Sequence, residues 1–126
     1  MAVTHPTDVR NDIANLVVDK IDVSGPGSIV FQDGSVNDSA VATLTFSATA
    51  FGAATGGIAT AAAIKGDSDC NAGTVSKFTV FDGAGDSCFN GTVTATGGGG
   101  DIVLSSTAIG KGDTITISSL TYEAPN

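Results

Sequence analysis

Beyond Gly27 the chain is cut repeatedly by glycine and aspartate: "DGSVND", "FGAATGG", "GDSDCNAG", "DGAGD", "GGGGD" and "GKGD". Glycine reaches positive φ at no steric cost, and aspartate closes turns through its carboxylate. No long regular element can run through these cuts. Between them apolar residues recur at every second position, as in "SIVFQ" and "VATLTF". Period two is the signature of a strand with one buried face. Short strands with turn signals about every 8–12 residues predict a mainly β fold, an antiparallel β-sandwich or barrel.

About seven strands are expected. They are "SIVFQ", "SAVATLTFSA", "GIATAAAIK", "SKFTVFD", "SCFNGTVTA", "IVLSSTAI" and "TITISSLTYEA". In the second, Ala42, Leu44 and Phe46 share one side, and Val41, Thr43 and Thr45 the other. The third is rich enough in Ala to suit a helix as well. The fourth and fifth form a hairpin across "GAGD". The last carries Ile115, Ile117 and Leu120 on its apolar side. Thr43, Thr45, Thr79, Thr92, Thr94, Thr114 and Thr116 are expected on a polar outer face, which suits solvent or side-by-side pairing of copies. "EAPN" reads as a short free tail or a contact arm.

Before Gly27 the period is helical. Val9, Ile13, Leu16, Val17, Lys20 and Ile21 recur along one stripe, Thr7 suits an N-cap, Asp8 suits the first turn, and "SGPG" stops the run. A helix of this length is marginal alone and needs a sheet or another subunit to lie on. The organisation is therefore one domain over residues 1–126: an arm at 1–7, one N-terminal α-helix at 8–22 and the β region at 28–123. At 126 residues the chain closes one core. With six Phe, one Tyr and no Trp, that core rests mostly on aliphatic side chains.

Charge excludes some partners. The net charge is −8, and Arg10, Lys20, Lys65, Lys77 and Lys111 stand singly. Nucleic acid and anionic membrane surfaces need clustered bases. No stretch approaches the apolar length of a membrane span, and the first residues lack the pattern of a secretory signal.

The chemistry-bearing motifs are few. "TATGGGGDIVLSS" leads from one strand pattern into another, and Asp101 opposes phosphate, so the glycines read as a joint between strands and not as a phosphate cradle. "DGAGDS", with Asp82 and Asp86, and "GDSDCN", with Asp67 and Asp69, have the flavour of calcium loops but lack the EF-hand spacing and its closing Glu; plain turns are the simpler reading. His5 is the one histidine and reads as a solvated residue of the arm. Cys88 has no basic neighbour in the sequence, and Cys70 lies beside Asp69. Strand geometry puts the two cysteines about 20 Å apart, beyond disulfide reach unless the 66–74 loop folds back. No catalytic, cofactor or metal residues are assigned, and an enzyme is not expected.

The stretches "THPTDVRNDIANLVVDKID", "VATLTFSATAFG", "GTVSKFTVFDGAGDSCFNGTVTATGGGGDIVLSS" and "GDTITISSLTYEAP", in this order, resemble small β-rich virion structural proteins of tailed bacteriophages. The likeness spans nearly the whole chain and is strongest over residues 92–106 and 112–125. It carries no catalytic or binding residues, and the two cysteines depart from its usual pattern. It implies a virion component. A net charge of −8 opposes a place against packaged genome, so the outer capsid surface is favoured. A capsid decoration or cement protein follows, with the major capsid protein and further copies of the chain, as a trimer, for partners. The "MAVTHPT" arm would reach a neighbouring capsid subunit. The alternatives are a tail, neck or baseplate component and a host-surface binding module.

Overall fold

The computed structural model describes residues 3–117 and 119–124. The chain is mainly β with one helix, α1 (Thr7–Asp19), followed by a 3-10 turn, Lys20–Asp22. The strands are β1 (Ser28–Gln32), β2 (Ala40–Thr45), β3 (Ile58–Thr60), β4 (Gly73–Thr74), β5 (Lys77–Phe81), β6 (Ser87–Ala95), β7 (Ile102–Leu104), β8 (Ala108–Ile109) and β9 (Thr121–Glu123). Among the described residues nine short strands thus replace the seven expected.

The main sheet runs β2-β1-β5-β6-β7, with β3-β9 and β4-β8 as separate antiparallel pairs. β1 is an inner strand of the main sheet, between β2 and β5. Phe31 pairs with Ala42 on one side and with Phe78 on the other. Ile29, Phe31, Leu44 and Val80 are fully buried on the face this register creates. The β5–β6 hairpin forms across the expected turn.

Alternation in β2 is largely as the sequence predicts. Ala42, Leu44 and Phe46 are in the core, and Thr43 and Thr45 are exposed. Val41 is also buried, because the segment around Gly73 covers the opposite side of the strand.

Helix α1 packs on β3 and β9. It buries Ala14 and Val18, with Ile21 in the turn that follows. Leu16, expected in the buried stripe, is 65% exposed. Two polar side chains complete the docking: Asn11 Oδ1 accepts from the Gly57 amide at 2.7 Å, and Asn15 Oδ1 from the Ala54 amide at 2.8 Å. Thr7 is not the N-cap. Pro6 holds that position and Thr7 is the first helical residue. The arm therefore stops at Pro6, whose extended ψ of 161° leaves it outside the helix.

Three further expectations are corrected. "IVLSSTAI" is not one strand: it breaks at Ser105–Thr107, and its two halves join different sheets. "TITISSLTYEA" is strand only at Thr121–Glu123, with Ile115 held by an isolated bridge to Asp67; in this part, Ser118 lies outside the described residues. Finally, β6 and β7 run parallel, with Val93 opposite Ile102 and Ala95 opposite Leu104, whereas an all-antiparallel sheet was expected.

"EAPN" is not wholly free either. Glu123 lies in β9, and Ala124 is buried with its amide bonded to the Gly57 carbonyl. Pro125 and Asn126 lie outside the described residues.

Candidate interaction surface

Parallel neighbours ordinarily need a crossover of a dozen residues or more. Here residues 96–101 suffice, and the glycine run is the reason. Gly97 and Gly99 have φ of 88° and 77°. Gly98 and Gly100 lie so close to Thr94 that a Cβ on either would stand within 3 Å of its atoms. The loop is pinned by side chains. Thr94 Oγ1 accepts from the Gly100 amide at 2.9 Å, and Asp101 Oδ2 accepts from the Thr92 amide at 2.9 Å and its hydroxyl at 3.2 Å. "GGGGD" is a joint between strands, as its composition suggests, and a fastened one.

The joint lays β7 at the edge of the main sheet, opposite residues 116, 117 and 119–121. Three cavities open along this line, of about 280, 250 and 350 Å³, and each shares residues with the next. The first is an aromatic cleft. Phe89 stands 6.4 Å from Phe78, edge to face, and 5.4 Å from Tyr122. Phe51, Ile102 and Leu120 complete its apolar wall, while Asn90, Asp101 and Glu123 supply polar rim groups. The second cavity lies between Val103, Leu104, Thr116 and Ile117, and the third continues to Ile109 and Asp113. Aromatic rings around a cleft of this size offer apolar area with little ordering cost to a docked chain.

The aspartates serve the backbone. Asp33 Oδ1 accepts from the Ser35 and Ser39 amides, and Asp113 Oδ2 from the Gly110 amide. Asp82 Oδ1 accepts from Ala84 and Asp86, each at 2.9 Å, the geometry of an Asp turn. Asp67 joins the 66–70 loop to β2, accepting from Thr43 at 2.9 Å and from Asp69 at 2.9 Å. Among the described residues no three His, Cys, Asp or Glu side chains converge on one point.

Amide donors hold the Asp67 carboxyl below the ordinary carboxylate value, that of Thr43 first and then that of Asp69. A lowered folded pKa adds stability that is complete above the unfolded value, about 4, and is lost as pH falls through the folded one. The melting temperature of the wild-type chain is therefore expected to drop more steeply than that of Asp67→Asn between about pH 5 and pH 3. Parallel thermal melts at the two pH values check this, and equal drops would refute it.

Both cysteines are free thiols. Burial pushes Cys70 up first, with Asp67 adding to it, so the neighbour that sequence reasoning picked out, Asp69, is a lesser contributor. Cys88 is likewise raised by burial and then by Asp82 and Asp86; Lys20, distant in sequence, opposes this. His5 is half-buried, not solvated, and its Nδ1 is covered without a partner among the described residues.

Thr79 departs from the expected Thr face: it is 9% exposed and donates to Gln32 Oε1 at 2.9 Å. Thr43, Thr45, Thr92, Thr114 and Thr116 are exposed, and Thr94 faces the glycine joint. No helix among the described residues is long and apolar enough to cross a membrane. Comparisons with protein-family models, with curated proteins and with solved structures find no match to this chain.

Proposed function

We propose that this protein is a structural component of a bacteriophage virion, a decoration or cement protein that binds the outer capsid surface and stabilises the head. The observation that carries the reading is the surface just described. A small acidic β domain uses several aspartates to close its own turns and keeps one sheet edge beside an apolar cleft. The sequence resemblance to small virion proteins supports the same reading, and a net charge of −8 favours a place away from packaged nucleic acid. Its partners are the major capsid protein and further copies of itself, and many weak contacts across capsid joints together resist internal pressure.

Purified virions test this. Calibrated mass spectrometry is expected to find the protein at hundreds of copies, in a simple ratio to the major capsid protein, with labelling on the head exterior. A handful of copies would place it in the neck or baseplate, and labelling along the tail would place it there. Absence from virions would refute the reading.

A further inference from the structure

The two edges of the main sheet are treated differently. Along β2 the edge is closed. The Asn71 amide donates to the Val41 carbonyl, Asn71 Nδ2 to the Ala40 carbonyl, the Thr43 amide to Asp67, and Thr45 bridges Lys65. Along β7 the outer edge has no strand partner among the described residues. Facing it, Thr116, Ile117 and Ser119 make no backbone hydrogen bond to any described residue. The groove between these two walls is the confluent cavity described above.

We infer that this groove binds an extended segment of a partner protein as an added strand beside β7. Three observations specify the segment. Backbone groups flank the groove on both sides, so the guest is recognised through its own amides and carbonyls. Ile102 is buried and Leu104 half-buried, while Val103 between them is 49% exposed. The floor is completed by Ile117 and Leu120. A guest with apolar residues at alternate positions fits that floor. Asp101 marks one end and Asp113 the other, while Glu123 beside Asp101 is already met by Arg10 Nη2 at 3.5 Å; among the described residues no Lys or Arg lines any of the three cavities. The guest therefore carries Lys or Arg at its ends. The inference stands on this groove alone and does not require that the partner be a capsid protein.

The test uses the full chain and a labelled synthetic peptide with Lys at each end and Val alternating with Thr between. Saturable binding is expected by fluorescence anisotropy, with amides of Val103 and Thr116 gaining protection from hydrogen exchange. A peptide with Glu in place of the end Lys residues should bind at least about tenfold more weakly. One N-methylated at alternate amides should not bind. Val103→Asp, at an exposed side chain, should weaken binding about tenfold, while Val36→Asp on the remote β1–β2 loop leaves it unchanged. Equal circular dichroism and melting of both variants show that the fold is kept. Three results would overturn the inference. These are no saturable binding, equal binding of the N-methylated peptide, or a peptide-free dimer dissolved by Val103→Asp, which would assign the edge to a second copy of this chain.

Discussion

Phe31→Ala is expected to cost about 3–5 kcal/mol of folding stability, as large aromatic truncations in a closed core do. Phe31 is fully buried in β1, an inner strand of the main sheet, between Ala42 on β2 and Phe78 on β5. Both flanking strands are themselves held in the sheet, so the site has little freedom to collapse into the space left. Domains of this size are stable by about 5–15 kcal/mol, so the variant should sit close to unfolding at room temperature. Urea denaturation of the variant against wild type measures this. Val36→Ala is the control: the side chain lies wholly in solvent, and it should stay within about 0.5 kcal/mol. A loss below about 1 kcal/mol for Phe31→Ala would mean that the sheet does not close over this ring.

The second large effect is expected from a single added methyl group. Gly27 is buried where the 3-10 turn gives way to β1. A Cβ there would strike the Phe81 carbonyl oxygen and lie 2.8 Å from the Ile21 carbonyl oxygen. Both are backbone atoms, which cannot rotate away. The Gly27 carbonyl also accepts from the Phe46 amide at 3.0 Å, so shifting this residue disturbs β2 as well. Gly27→Ala should therefore cost about 3 kcal/mol, at the upper end of overpacking penalties. Gly52→Ala, where the nearest atom is 3.8 Å away, should be close to neutral. Urea midpoints for the pair decide it, and equal midpoints would refute the close approach.

Much of this fold is legible in the residues themselves. The change of period at Gly27, the strand Ser28–Gln32 and the hairpin from Lys77 to Ala95 follow from alternation and turn chemistry, which are local. What could not be read depends on contacts distant in sequence. "TITISSLTYEA" has good strand alternation, yet only Thr121–Glu123 meets a strand, because β3 is three residues long. "IVLSSTAI" divides because its halves have different partners. Leu16 fits the helical stripe, but Ala14 faces the core, and helical period alone does not say which arc a sheet will cover. The groove was hidden for the same reason. Its walls, 102–104 on one side and 116, 117 and 119–121 on the other, each look like ordinary strands, and only the sheet order shows that they are not joined to each other. Asp101 and the glycines were legible as a joint, whereas the Thr94 and Thr92 bonds that fasten it were not.

The docking of α1 on β9 bears on how the chain is made. Arg10 Nη2 donates to the Ala124 carbonyl at 3.2 Å, across 114 residues of sequence. The helix leaves the ribosome long before the strand that completes its bed, and at about 5–20 residues per second the delay is of the order of ten seconds. During that interval the helix has only β3 of its two strand partners to lie on. Assembly of the core thus waits on the strand Thr121–Glu123, and a chain arrested before residue 121 leaves exposed the part of the helix that β9 covers.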